Sequence, residues 1–228
     1  MKGCRKLKHL SLGCSDELQA YSSSLLNTMA QRHGKYLQSL HLASVKEDSE
    51  DYGIVDLDIE QLKNFTSLQH LSIDYDFVDS NLLKAFANTA RIPMKTLVVH
   101  VHGVDPEHEV IPNPVWQQFS SCNQNMEVTL NLVHSYTGVQ SLLDILKPSL
   151  PLTHFRQFFC SKVNNAALGL MASHYTRTLK SIHIIDGFEM ECPVAYDNWS
   201  TTEDPFVMLA WKCPNLHSFT LIGKTSLY

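Results

Sequence analysis

The chain has 228 residues, of which 44% are hydrophobic and 18% are charged, and its formal net charge is −5 at pH 7. This composition excludes a largely disordered chain, and the negative charge argues against nucleic-acid binding. No run of about 20 apolar residues occurs, so the sequence predicts no membrane-spanning helix. We expect an intracellular protein, cytoplasmic or nuclear or both, because no signal-peptide core follows Met1 and the six cysteines form no disulfide framework.

A short apolar pattern recurs eight times along the chain, with hydrophobic residues at its first, fourth and sixth places. Its copies start at residues 7, 37, 68, 94, 127, 152, 179 and 216, so the spacing varies from 25 to 37 residues. The copies at 127–132 and 152–157 keep only part of the pattern and are shifted by one residue. An internal repeat of this period is typical of leucine-rich repeats.

Each copy predicts a strand, because its apolar and polar residues alternate with a period of two. Between copies, apolar residues recur at helical spacing in four groups: Leu18, Leu25, Leu26 and Met29; Leu82, Leu83 and Phe86; Leu142, Leu143 and Leu146; Leu168, Met171 and Tyr175. We therefore predict an α/β leucine-rich-repeat solenoid, a horseshoe with parallel strands on its concave face and helices on its convex face. Residues 1–228 are expected to form a single domain of about eight irregular repeats.

Polar residues ahead of the helical segments are the expected helix caps. Asp16, and either Asp79 or Ser80, stand where an N-cap side chain would accept a hydrogen bond from the first helical turn. Gly34, Pro93, Pro148 and Pro214 follow or end the helical segments.

The motifs of common enzymes are absent from the sequence. No phosphate-binding glycine loop, dinucleotide-binding turn, nucleophile elbow or His-Glu-x-x-His helix occurs. The sequence therefore predicts a protein without catalytic residues, cofactor or metal. His100, His102 and His108 lie close to Asp105 and other acidic residues, which are ligand types for a metal, but three prolines in the same segment favour a polar loop.

Six histidines occupy strand places that alternate away from the core: His9, His41, His70, His100, His154 and His183. Stacked strands would bring them together with serine, threonine and other polar side chains into one hydrogen-bonding surface. We predict that part of this surface binds a protein, and that the histidines make recognition sensitive to pH near 6.5. The candidate residues are His41, His70, Ser72, Asp74, His100, Asn131, Arg156 and His183. Small polar residues also simply suit an exposed sheet, and the sequence leaves that alternative open.

Three connections are longer than the others, at residues 43–60, 101–114 and 185–205, and each follows a predicted strand. Because parallel strands all end at the same edge of a sheet, we expect these insertions to form one rim. The third insertion contains Trp199 among acidic residues, and we take it as a ninth candidate for partner binding. Packing of its aromatic residues onto their own repeat is the alternative.

The phrase Cys-x-x-Leu-x-x-Leu-x-Leu at residues 4–12, with its counterpart at 213–221, resembles the cysteine-containing leucine-rich repeats of F-box proteins. Segments 41–48 and 68–76 resemble a divergent F-box-only subgroup of that family. The resemblance implies the non-catalytic substrate-recognition part of a Skp1–cullin–F-box ubiquitin ligase, which recruits target proteins for ubiquitination and degradation.

The resemblance implies that Skp1 and cullin are contacted only through an F-box. In this sequence, no F-box helix cluster that starts with Leu-Pro precedes the first repeat. Only seven residues follow the last apolar pattern, so we expect the chain to be clipped at both ends. A leucine-rich-repeat scaffold or inhibitor unconnected to ubiquitin is the alternative function.

Overall fold

A computed structural model describes residues 6–12, 21–43, 59–88, 90–160, 162–185 and 204–223. Each of the eight apolar patterns overlaps one strand. The strands in these ranges are β1 His9–Ser11, β2 Ser39–His41, β3 His70–Asp74, β4 Thr96–Val101, β5 Glu127–Val133, β6 Leu152–Phe158, β7 Ser181–Ile185 and β8 Ser218–Ile222. They form one parallel sheet in which every strand pairs with its neighbours in sequence, in the order β1 to β8. The α/β class and the parallel sheet agree with the prediction.

Helical segments connect consecutive strands. The α-helices in the described ranges are α1 Ser22–His33, α2 Ser80–Phe86, α3 Asn113–Cys122, α4 Tyr136–Gln140, α5 Leu142–Ile145, α6 Asn165–His174 and α7 Pro205–Lys212, with short 3₁₀ turns at Ile59–Asn64 and Tyr75–Phe77. None of these helices is both long and apolar enough to cross a bilayer.

Two of the helices, α3 and α7, were not expected from the sequence, which assigned their first residues to loop insertions. Pro114 and Pro205 each lie in the first turn of a helix. A proline fits there, because the first backbone N–H groups of a helix have no partner within the helix. These prolines therefore mark the start of a helix and not a loop.

Side-chain caps fix the start of three helices. The Asp79 side chain accepts a hydrogen bond of 2.7 Å from Leu82 N, so Asp79 and not Ser80 caps α2. Asn164 caps α6 through Ala167 N at 3.0 Å, and Asp204 accepts from Phe206 N at 2.7 Å. The other expected cap, Asp16, lies outside the described residues, as does Leu18.

One continuous core lies between the sheet and the helices, because alternate residues of strands β2 to β7 are buried there, while the corresponding residues of β1 and β8 are only partly covered. Leu71, Leu97 and Phe155 are typical, with exposed fractions of 1%, 2% and 1%. Leu143 was expected to be part of this core but is 43% exposed on α5, because the short helix turns it outwards.

The two weakest sequence patterns form the two longest strands, β5 and β6, of seven residues each. The register shifts between Val128 and Thr129, which explains the one-residue drift of the pattern. At the apolar sixth place of β6 stands Gln157, which is buried and donates a hydrogen bond of 2.6 Å to Lys162 O. That hydrogen bond lets a polar residue occupy a core position.

Asn123 joins three segments of the fold from a buried position with 3% exposure. Its Oδ1 accepts a hydrogen bond of 2.7 Å from Met94 N, just before β4. Its Nδ2 donates to Phe119 O in α3 at 2.8 Å and to Phe86 O in α2 at 3.3 Å. A single amide thus satisfies three buried backbone groups.

We expect Asn123→Ala to lower the free energy of unfolding by about 2 to 3 kcal/mol, because it leaves buried backbone groups without partners. The neighbouring exposed residue provides a control, since Gln124→Ala should change stability by less than about 0.5 kcal/mol. Urea unfolding followed by circular dichroism measures both variants. Equal stability of the two variants would contradict this role for Asn123.

Candidate protein-binding face of the sheet

The side of the sheet opposite the core, which we call the polar face, carries the candidate residues in rows that run across the strands. The carboxyl-side row consists of Asp74, His100, Asn131, Arg156, His183 and Thr220, each paired in register with the next. The central row consists of Ser11, His41, Ser72, Val98, Thr129, His154, Ser181 and Ser218. His70 lies one step further towards the amino ends of the strands, between Ser39 and Thr96.

The structure thus brings eight of the nine candidate residues onto one face, and five of them into one row. The ninth, Trp199, lies outside the described residues, together with most of the first and third insertions. The register alone accounts for this arrangement, because period-two alternation in paired parallel strands aligns equivalent side chains.

Histidines on the polar face form hydrogen bonds with hydroxyl groups of adjacent strands. The pairs are His70 Nδ1 with Thr96 Oγ1 at 2.8 Å, His100 Nε2 with Ser72 Oγ at 2.9 Å, His154 Nδ1 with Ser181 Oγ at 2.7 Å, His183 Nδ1 with Thr220 Oγ1 at 3.1 Å, and His183 Nε2 with Ser218 Oγ at 3.5 Å. Each bond links neighbouring strands, so these side chains stabilise the sheet as well as forming its surface.

A buried carboxylate lies among three histidines near the carboxyl ends of β3 and β4. Asp74 is 2% exposed, and its Oδ1 is 3.6 Å from His102 Nε2. The His102 ring stacks on His100, with ring centroids 6.4 Å apart and planes at 11°. On the other side, His41 meets the His100 ring edge-on at 6.0 Å. His102 was not among the candidates, although its place two residues after His100 puts it on the same face.

The pKa of His100 is lowered to about 4, chiefly because burial disfavours the charged imidazolium. The carboxylate of Asp74 opposes this shift, while His102, His41 and Arg156 add to it. Burial is also the main cause of the lowered pKa values of His70 and His154. The sequence predicted that partner recognition would change near pH 6.5. For these three histidines the change in charge is therefore expected at a lower pH.

An ion pair lies at the opposite, amino-terminal end of the polar face. Lys180 Nζ contacts Glu127 Oε1 at 2.5 Å, and His154 Nε2 lies 3.5 Å from Glu127 Oε2. The hydrogen bond from Lys180 is the main reason that the pKa of Glu127 is lowered. This contact spans β5 to β7 and is stabilising only to a small extent, because both partners are more than one third exposed.

Two buried polar atoms near the middle of the face have no hydrogen-bond partner among the described residues, Asn131 Oδ1 and His102 Nε2. Asn131 as a whole is 8% exposed. Native proteins leave few such atoms unsatisfied, and ordered water commonly supplies the partner where protein groups do not.

The histidine-rich segment after β4 does not converge on a metal site. The His108 ring packs on Tyr75 with centroids 4.4 Å apart, and its Nε2 is 3.1 Å from Tyr75 O. Glu109 accepts a hydrogen bond of 2.6 Å from Ser80 Oγ. In the part of the chain that the structure covers, no three His, Cys, Asp or Glu side chains are grouped to hold an ion.

Beyond the carboxyl-side row, four further side chains on the polar face are apolar: Val133, Phe158, Ile185 and Ile222. They pair in register across β5 to β8. Sequence reasoning missed them because the repeating pattern ends at its sixth place. The signal was present nonetheless, since each stands two residues after a member of the carboxyl-side row.

We expect His100 to make the fold less stable in acid. Its pKa of about 4 in the folded state, against 6.5 when unfolded, means that the unfolded chain binds more protons between these values. The neutral His100 side chain therefore makes its full contribution to the free energy of unfolding above pH 6.5. That contribution decreases as the pH falls towards 4, by at most about 3 kcal/mol.

This contribution should disappear in His100→Gln, whose unfolding free energy should fall less between pH 7 and pH 4.5 than that of the parent chain. Urea unfolding at the two pH values measures the difference. His9→Gln is the matched control, because His9 is exposed on β1. An equal acid loss in the parent and in His100→Gln would contradict the assignment.

No protein-family model matches the chain. The chain is 25% identical to human F-box only protein 33 over 237 aligned residues, and 24% identical to its mouse counterpart over the same length. Each alignment covers 99% of this chain but 40% of the relative, so the chain spans about two fifths of the length of these proteins. The chain therefore resembles F-box only protein 33 along nearly its whole length.

Proposed function

We propose that this chain is a protein-binding leucine-rich-repeat module, the substrate-recognition part of a Skp1–cullin–F-box ubiquitin ligase receptor. The observation that carries the proposal is the similarity to F-box only protein 33, which extends over 99% of the chain. The module holds a target protein so that the ligase can ubiquitinate it, and it performs no chemistry of its own.

The arrangement of the strands supports the solenoid part of this proposal. Repeats of 25 to 37 residues each contribute one strand, and the strands pair in parallel strictly in sequence order. A leucine-rich-repeat horseshoe needs this arrangement, with its strands on the concave face and its helices on the convex face. In such a horseshoe the polar face would line the concave side, where an extended partner surface is contacted by several repeats at once.

The polar face favours binding over catalysis. Two serine–histidine pairs, Ser72–His100 and Ser181–His154, have a carboxylate nearby. These serines lie on interior strands, whose backbone N–H groups pair with neighbouring strands and cannot form an oxyanion hole. The pKa of His100, lowered to about 4, also makes it a poor general base at neutral pH. We therefore assign these pairs to the stability of the face.

The partners follow from the same proposal. The target is a protein, and Skp1 and cullin join only through an F-box in a longer protein. We place this protein in the cytoplasm, the nucleus or both, where that ligase machinery works. No cofactor or metal is required.

A pull-down from cell lysate tests the proposal, with this chain compared with a version extended upstream through any F-box in the same reading frame. We expect Skp1 to be captured only by the extended version, and other bound proteins to be shared by both. Absence of Skp1 from both would remove the ligase role and favour an independent scaffold or inhibitor. Capture of Skp1 by this chain alone would contradict the division of roles.

A further inference from the structure

Four apolar side chains form a continuous strip at the carboxyl end of the polar face. Val133, Phe158 and Ile185 are half-buried, and Ile222 is 51% exposed. None of them belongs to the core or to the half-buried side chains that pack against it. One residue on each of four adjacent strands gives a strip about 14 Å long, from strand spacings of about 4.8 Å.

An aromatic pair lies beside the strip. His134 and Phe159 directly follow β5 and β6, and their rings stack with centroids 5.3 Å apart and planes at 22°. Both adopt the left-handed backbone conformation, with φ of 51° and 55°. Phe159 N donates a hydrogen bond of 2.7 Å to Ile185 O, and His134 N donates one of 3.0 Å to Phe158 O. These bonds to the neighbouring strands hold both residues in this conformation.

Phe159 is 43% exposed in this position, which is a large exposure for an aromatic side chain. The left-handed conformation is uncommon for residues other than glycine, although histidine tolerates it better than most, and strained examples cluster at functional sites. Two such residues at equivalent places of adjacent repeats present their rings together to solvent.

Arg156 supplies the charge next to the strip. It is exposed on β6, two residues before Phe158 and in register with Asn131 and His183. Across β5 to β8, no other residue of the strip, the carboxyl-side row or the central row carries a fixed charge. No described carboxylate forms an ion pair with it.

We propose that the apolar strip, Arg156 and the His134–Phe159 pair together bind a protein segment that presents a carboxylate next to apolar side chains. The inference rests on the proposed function and names the chemistry of the target. Arginine and aromatic side chains at the centre of an apolar patch are typical of binding hot spots.

Charge complementarity decides between possible occupants. A basic segment would be repelled by Arg156, and an entirely apolar segment would cover its guanidinium without a partner. An acidic residue on the partner pairs with Arg156 in a bidentate geometry, while flanking apolar residues cover the strip. Asn131 and His183 lie in register on either side of Arg156 and carry no fixed charge that would compete with it for the acidic residue.

The test begins with selection from a display library of random twelve-residue peptides, using the full chain as bait. We expect enrichment of peptides with an Asp or Glu flanked by aliphatic or aromatic residues. Fluorescence polarisation then measures Kd for the best peptide. Arg156→Glu should weaken binding at least about tenfold, and replacing the acidic residue of the peptide with Lys should restore binding to that variant.

A second variant removes the aromatic ring while keeping the backbone. Phe159→Asn retains a residue that tolerates the left-handed conformation, and it should weaken binding about fivefold or more. The matched charge control is Arg177→Glu, because Arg177 is exposed in the turn after α6, away from the strip. Its Kd should stay within about twofold of the parent value. Thermal unfolding of every variant identifies any loss of folding.

Absence of acidic–apolar enrichment, or a Kd unaffected by both Arg156→Glu and Phe159→Asn, would overturn the inference. If light scattering shows a dimer that Arg156→Glu dissociates, the strip binds a second copy of the chain and the inference also fails. Neither result removes the proposed function, which depends on the Skp1 pull-down. Conversely, loss of Skp1 from the extended protein would leave peptide binding at the strip unaffected.

Discussion

Parallel pairing of eight strands in sequence order is the constraint on which the rest of the structure depends. A single strand and helix of this size cannot bury their shared apolar face, so each repeat is stable only when its neighbours cover it. The pairing aligns equivalent residues of every repeat, and a shift of one residue would exchange the core side chains for the polar ones. The core and the polar rows therefore follow from the same register.

On the polar face, the pairing of adjacent strands also shields some polar side chains from water. Asp74 and Asn131 are almost fully buried although they lie on the side of the sheet away from the core, because side chains of adjacent strands cover them. His100 becomes a neutral, hydrogen-bonded residue in the same way. The face is thus not a simple solvated surface, and its side chains contribute to the stability of the sheet.

The sequence predicted the features that depend on local patterns: one strand per repeat, the parallel sheet, a helix cap at Asp79 or Ser80 and the alignment of the candidate residues. It did not predict features that depend on distant contacts. The partners of Asn123 at Met94 and Phe86 are 29 and 37 residues away, and nothing around Asn123 in the sequence indicates them. The lowered pKa of His100 likewise depends on burial by residues of other strands. Helices α3 and α7 were missed because a proline suggests a loop unless the position of the first turn is known.

The two halves of the polar face differ in how much of their side chains they expose to solvent. Around β2 to β4, Asp74 is 2% exposed and lies beside His102, and the rings of His41, His100 and His102 are half-buried next to one another. Across β5 to β8, by contrast, Phe159 and Ile222 are about half exposed, and no described acid pairs with Arg156. A protein that only had to fold would gain stability by covering or replacing these groups. The partner segment that we propose would cover these groups in the complex.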